Sequence, residues 1–272
     1  MPTCKPINSD SSKLVLTFLG TGTSQGVPLI GCTCDVCRSS DARDNRLRTS
    51  AMIEYCGRRF IIDAGPDFRM QMLREHVSHI TAILLTHKHK DHTGGIDDVR
   101  ALNFVDYPIV HTINIYATHD TAECVRKDYD YAFIPSSNRY RGVPEIALHE
   151  FDASQPFCID DIEITPISGK HSIFEITGFR IGRLAYLTDF KDIDEREVEK
   201  LHGVDTLVVN ALRFEPHDSH FSVSDALALI ERIKPRQAYL THMSHDIGLH
   251  AVSDNRMPEG VNLAYDGLKV EI

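Results

Sequence analysis

The chain is short of positive charge. It carries 29 Lys and Arg against 39 Asp and Glu, a net charge of −10. A broad electrostatic grip on long nucleic acid needs a basic surface, so that class of partner is not expected. It also lacks any apolar run approaching the length of a membrane span, and no membrane association is expected. Its first residues, Met-Pro-Thr-Cys-Lys-Pro-Ile-Asn, contain no apolar core of signal-peptide length. With no export signal and seven cysteines, an odd number, a reducing cytoplasm is the expected compartment. The cysteines are then expected as thiols or metal ligands rather than disulfides. The glycine-rich stretch Gly-Thr-Gly-Thr-Ser-Gln-Gly at 20–26 lacks the Lys-Ser/Thr of a phosphate-binding P-loop, and its spacing is not that of a dinucleotide fingerprint. It reads equally as a tight loop and as the edge of a substrate site. Linkers, low-complexity segments and internal repeats are also missing, so 1–272 reads as a single domain with residues 1–12 as a flexible lead-in.

What is present is a dense polar cluster. Residues 86–92 read Thr-His-Lys-His-Lys-Asp-His, placing His87, His89, Asp91 and His92 within six positions. The apolar, branched stretch 80–85 before it has the character of a buried strand. Thr93-Gly94-Gly95 after it allows a sharp turn toward a helix. Imidazole and carboxylate are costly to bury unless paired or metal-bound. A loop at a strand end lets several of these groups converge, so the cluster reads as a metal site. A second cluster, Cys32, Cys34 and Cys37, has the C-x-C-x-x-C spacing of zinc ligands and needs a fourth ligand from elsewhere in the chain.

The rest alternates strands and helices. Strands are predicted at 13–19, in a hairpin at 49–63 turning at Gly57, and at 80–85, 114–118, 146–151, 158–159, 162–166, 174–181, 184–188, 206–210 and 237–241, the last taken as the final core strand. Helices are predicted at 67–77, 97–104, 120–130 with Asp120 as cap, 195–201, and 222–233 with Leu227, Ile230 and Ile233 on its apolar face. The irregular stretch 133–145 is a candidate lid, or equally a solvated connector. Strand ends repeatedly carry polar residues: His171 just after one strand, Asp189 ending another, and His242 and His245 after the last predicted one.

These motifs resemble the metallo-β-lactamase superfamily. The H-x-H-x-D-H of 87–92, followed by His171, Asp189 and His242, occurs in the order of its dinuclear hydrolases. Three further features are most similar to the phosphoribosyl 1,2-cyclic phosphate phosphodiesterases of phosphonate catabolism. They are Gly-Thr-Gly-Thr-Ser-Gln-Gly-Val-Pro at 20–28, the C-x-C-x-x-C, and Thr-His-Met-Ser-His at 241–245. The resemblance implies a four-layer αββα sandwich (α/β). It implies that His87, His89 and His171 bind one divalent ion, that Asp91, His92 and His242 bind another, and that Asp189 bridges them. Mn²⁺, Zn²⁺ or Fe²⁺ would suit these ligands. It also implies that His245 completes Cys32, Cys34 and Cys37 around a structural zinc. The implied chemistry is hydrolysis of a small cyclic phosphate or related phosphodiester by a hydroxide bridging the two ions. Asp91 and His220 are the implied catalytic residues, with His220 as acid. His217, Arg100 and Arg213 are further substrate-binding candidates. Asn210 stands where relatives tend to carry an acidic residue that orients the acid histidine. The likeness is compatible with a homodimer. The competing readings are a tRNA 3′-processing endonuclease, a relative of the pyrroloquinoline quinone biosynthesis protein, and a non-catalytic metal-binding protein.

Overall fold

The computed structural model describes residues 13–135, 140 and 142–272. The expected lead-in at 1–12 lies outside these residues, as does part of the 133–145 stretch. The strands are β1 Leu14–Gly20, β2 Ser50–Tyr55, β3 Arg58–Ile62, β4 Ala82–Leu84, β5 Ile113–Ala117, β6 Ile146–Glu150, β7 Phe157–Ile159, β8 Ile162–His171, β9 Phe174–Ile181, β10 Leu184–Leu187, β11 Thr206–Asn210, β12 Gln237–Thr241, β13 Val261–Leu263 and β14 Lys269–Glu271. The helices are α1 Phe68–Arg74, α2 Lys90–Thr93, α3 Arg100–Asn103, α4 His119–Asp128, α5 Glu195–Glu199, α6 Val223–Ile233 and α7 His250–Asp254.

Two seven-stranded sheets form, in the orders β14-β1-β2-β3-β4-β5-β6 and β13-β12-β11-β10-β9-β8-β7. They follow one plan. From the β14 edge of the first and the β7 edge of the second, three antiparallel pairings are followed by three parallel ones. The fold thus repeats although the sequence shows no repeat, because pairing direction depends on apolar pattern and turn geometry rather than on residue identity.

The strands are apolar on both faces, as strands covered on both sides must be. Leu16, Phe18, Ile53, Phe60 and Ile62 of the first sheet meet Phe179, Ile181, Tyr186 and Val208 of the second. The alternate residues Met52, Ile61 and Ile83 face outward onto Phe68, Leu102 and Val125 of the first helix layer. Leu187, Leu207 and Leu240 face Val198, Ala226 and Leu229 of the second. These three cores separate four layers, the expected αββα sandwich.

Several boundaries differ from the sequence reading. The helix expected at 67–77 stops at Arg74, because His76 takes a positive φ of 54°. The one expected at 97–104 divides into a 3₁₀ turn, Ile96–Val99, and the short α3. Asp120 is not a cap: Thr118 is the extended residue before α4, and Asp120 lies in the first turn. The strand expected to end at 166 continues through His171, paired with β9. Gly169 permits this, since a Cβ there would lie 2.2 Å from the Phe190 ring. On α6 the buried stripe is Val223, Ala226, Leu229 and Ile233, with Leu227 and Ile230 at its margin. Ser222 caps that helix through a capping box with Asp225. β12 is not the last core strand. β13 extends the second sheet, and β14 returns to the first. Both are only three residues long, too short for the alternation to show. Cys32, Cys34, Cys37, Cys56 and Cys124 are free thiols, but Cys158 is disulfide-bonded, against the expectation of thiols or metal ligands rather than disulfides.

Candidate metal centre

The parallel halves of both sheets aim their carboxyl ends at one edge of the sandwich. Ligands gather at that edge in open α/β sheets. β3 delivers Asp63, β4 delivers His87, β10 delivers Asp189 and β12 delivers His242. Asp63, Asp189 and His242 adopt the left-handed conformation, with φ of 63°, 64° and 57°. Such geometry costs roughly 1–3 kcal/mol per residue, and the surrounding fold must hold it in place.

The seven residues expected as ligands come together. His87 Nε2 lies 3.0 Å from His89 Nδ1 and 3.5 Å from Asp189 Oδ2. His92 Nε2 lies 2.9 Å from Asp189 Oδ2 and 3.1 Å from Asp91 Oδ2. His242 Nδ1 lies 2.8 Å from Asp189 Oδ1. The rings of His171 and His89 are 5.2 Å apart, and ligand atoms of His87, His89 and His171 lie within 4.8 Å of one another. Asp189 sits between the two groups, touching His87, His92 and His242.

These spacings suit cations. Donors about 2.0–2.2 Å from an ion at tetrahedral or octahedral angles are themselves roughly 3.0–3.4 Å apart. The buried His92 Nε2 makes no directed hydrogen bond despite its two carboxylate neighbours. A buried polar atom left in this state asks for a partner. Burial, with the His92 charge nearby, keeps His87 neutral and its lone pair available. Burial opposes charge on His92, but Asp189, Asp91 and Asp63 outweigh it and raise its pKa well above the usual imidazole range. For Asp189, burial opposes ionisation, and the His242 and His92 imidazoles outweigh it. The centre therefore demands positive charge at its middle.

Supporting contacts fix the rings. Asp63 Oδ2 accepts from His92 Nδ1 at 2.7 Å, and its two oxygens accept from the Thr86 N–H and hydroxyl. The Ser219 carbonyl accepts from His171 Nδ1 at 2.7 Å. The Thr49 hydroxyl lies 3.1 Å from His242 Nδ1, and the Thr23 hydroxyl of the glycine-rich loop lies 3.3 Å from His242 Nε2. Partners of this kind orient ligands and set the tautomer. Sequence reasoning missed all four. Only Asp63 carried a signal, as an Asp ending a strand as Asp189 does.

His220 lies beside the centre, its ring 4.5 Å from His171 and stacked 4.9 Å from His242. Burial, and then the neighbouring His242, push its pKa down to about 3. His217 stands one step farther out, its ring 5.3 Å from His220. Asn210 does not orient His220. Both ends of its amide bind the backbone of Phe190, accepting from the N–H at 2.8 Å and donating to the carbonyl at 2.9 Å. It thereby clamps the residue that follows Asp189. Arg213 donates to the Pro216 carbonyl and pairs with Asp246. Arg100 is exposed, with Gly142 and Asp97 as partners. Burial lowers the pKa of His217, and Arg213 still lies near enough for its charge to add to that shift. On the other side of His87 and His89 opens a cavity of about 1020 Å³, lined also by Lys88, Phe174, Glu150 and Asp192.

Cys32, Cys34, Cys37 and His245 form the second group. The three sulfurs lie 3.4, 3.3 and 3.7 Å from His245 Nδ1. A tetrahedral zinc with Zn–S of about 2.3 Å and Zn–N of about 2.1 Å places S and N roughly 3.6 Å apart. The Cys37 N–H, then His245, draw the Cys34 thiol down to about 6, toward the metal-binding thiolate. The Leu29 N–H donates to Cys37 Sγ.

Comparison with known proteins places this geometry. The model of the beta-lactamase superfamily domain matches residues 58–243. The crystal structure of a diphosphatase from the PhnP family superposes with a TM-score of 0.88 at 39% identity, over 96% of this chain and 97% of that one. The octanoyltransferase of Porphyromonas gingivalis is 38% identical over 94% of this chain but only 51% of its own length. The chain thus spans about half of that relative. The Zn²⁺-bound PqqB structure from Methylobacterium extorquens superposes with a TM-score of 0.76 at 18% identity, over 95% of this chain and 100% of that one, and shares the fold.

Proposed function

The chain belongs to the beta-lactamase superfamily, and we propose that it is a metal-dependent phosphodiesterase acting on a small cyclic phosphate or a related phosphodiester, of the 5-phosphoribosyl 1,2-cyclic phosphate kind. The observation that carries this reading is the convergence of seven side chains able to bind metal, His87, His89, Asp91, His92, His171, Asp189 and His242, in one buried cluster. The likeness to a PhnP-family diphosphatase at 39% identity supports phosphorus as the reacting atom. The name octanoyltransferase belongs to a protein of which half lies outside the match, and its activity is not carried over.

Two divalent ions in such a centre supply a nucleophilic water near neutral pH and neutralise charge on the phosphoryl oxygens. The residues do the rest. Asp63 and the Ser219 carbonyl hold His92 and His171 in one tautomer, so that each keeps a nitrogen for the centre. Asp189, touching His87, His92 and His242, ties the two groups of side chains together and would hold metal with them. Asn210 locks the backbone on which Asp189 rides. His220, kept neutral, offers a ring N–H to a phosphate oxygen; it hydrogen-bonds the substrate rather than arriving as a charged acid. An acidic chain without a basic arm favours a small substrate over precursor tRNA.

The test is a side-by-side assay of a five-membered cyclic ribose phosphate, a linear dinucleotide and a precursor tRNA, after chelation and with Mn²⁺ or Zn²⁺ restored. The cyclic phosphate should turn over fastest, and only with metal. Equal or faster cleavage of precursor tRNA would reject this substrate class, and turnover by the metal-stripped protein would reject the mechanism.

A further inference from the structure

At the opposite end of the first sheet lies a separate group of metal-ligating side chains. His79 precedes β4, whose carboxyl end carries His87 of the centre above, and Asp106 and His111 precede the neighbouring parallel strand β5. Asp106 Oδ2 is 2.8 Å from His79 Nε2 and 2.7 Å from His111 Nε2. The two rings meet edge to face, 5.4 Å apart at 81°. All three ligand atoms lie within 4.8 Å of one another.

The backbone around each ligand is held. Arg59 donates to the His79 carbonyl at 2.9 Å. The His111 N–H donates to the Asn103 carbonyl, and Asn103 Nδ2 donates back to the His111 carbonyl. Ser78 Oγ lies 3.0 Å from His79 Nδ1, as an outer partner does when it leaves the inner nitrogen free for a metal. The side chains are half exposed, so an ion can enter without unfolding the loop.

We propose that His79, Asp106 and His111 form a third metal site, for a borderline divalent ion of the Zn²⁺ type. Three donors of this kind, roughly 2.0–2.2 Å from one ion, would stand about 2.8–3.6 Å apart depending on coordination geometry, so Asp106 Oδ2, at 2.8 and 2.7 Å from the two imidazole nitrogens, need move by less than about 1 Å. Two neutral imidazoles and one carboxylate suit Zn²⁺, Ni²⁺ or Cu²⁺ better than Ca²⁺ or Mg²⁺, which prefer all-oxygen shells. Three protein ligands leave at least one position open, for water or an outside ligand. The ion would tie the loop 104–112 to the start of β4. That loop carries Tyr107, Ile109 and Val110 at 75, 62 and 46% exposure, and an ion would fix how they are displayed.

Zn²⁺ titration of metal-replete protein, followed by desalting and elemental analysis, tests the site. The wild type should take up one further equivalent with a Kd below about 100 µM, and hydrogen exchange across 104–112 should slow. His79→Gln with His111→Gln should remove that equivalent. Asp106→Asn keeps a hydrogen-bond acceptor for the loop but loses the anionic ligand, and should weaken binding at least about tenfold. Turnover should not change in either variant. The proposal fails if the wild type takes up no further equivalent, or if both variants take it up as the wild type does.

Discussion

The two sheets share one plan and load the site differently. In the first half, a single turn after β4 supplies His87, His89, Asp91 and His92. In the second half, three separate strand ends supply His171, the last residue of β8, Asp189 after β10 and His242 after β12. The halves also place an aspartate at equivalent positions: Asp63 after β3 and Asp189 after β10, both in the left-handed conformation. The two carboxylates grip opposite nitrogens of the same imidazole, Asp63 at His92 Nδ1 and Asp189 at Nε2. One half offers its aspartate as a support and the other as a shared ligand. A repeated backbone therefore fixes where a residue sits, and local partners decide its task. Each carboxylate also takes a threonine hydroxyl, Asp63 from Thr86 and Asp189 from Thr188, but Asp63 meets one imidazole of the cluster and Asp189 meets three, His87, His92 and His242.

Replacing each aspartate in turn is the sharpest way to break that comparison. Asp189→Ala should reduce turnover roughly 10³-fold or more and lower the bound metal, because a shared ligand is worth several kcal/mol. Elemental analysis beside kcat checks both. Asp63→Asn should cost about 10–100-fold, as loss of an outer partner does. Added metal should restore part of it, which it would not do for Asp189→Ala. Equal losses in the two variants would erase the distinction between ligand and support.

The cysteine group sharpens the contrast from outside both halves. Cys34→Ser should change the turnover of the metal-replete fraction by less than about twofold. It should lower the thermal midpoint by on the order of 10 °C, since a structural zinc contributes directly to folding. Calorimetry with and without chelator measures this.

The smallest effect concerns the joint between the sheets. Asp266, between β13 and β14, accepts from Thr21 and Leu47. Burial raises its pKa to about 6. The folded chain holds that proton more tightly than the unfolded one, so the contribution is present below about pH 4 and is lost as pH rises through about 6. The change is on the order of 2–3 kcal/mol, and Asp266→Asn should flatten it in denaturant titrations at pH 4 and 7.

The same contrast explains what the sequence reveals. Four ligands within six residues announce themselves by spacing alone. His171, Asp189 and His242 stand alone among fifteen histidines and many carboxylates, and only the family resemblance picks them out. The Cys₃ group is legible by spacing, but His245 again is not. Asp63, Thr49 and the Ser219 carbonyl are silent for a physical reason: they act through one hydrogen bond each, and a single polar residue at a strand end has no pattern. The four-layer fold was legible through the family resemblance, and strands apolar on both faces, which require cover on both sides, fit it. The three-residue strands β13 and β14 were not.

The position of β14 bears on how the molecule is made. The first sheet needs residues 269–271 to complete its β1 edge, and both metal groups need ligands from 242–245. During synthesis, a ribosome will have released most of the first sheet and all three cysteines while neither ion-binding group is whole. On the proposed ligand sets, neither of these two groups could close before residues 242–245 emerge, and until then the half-made chain presents their thiols and imidazoles without the distant partners.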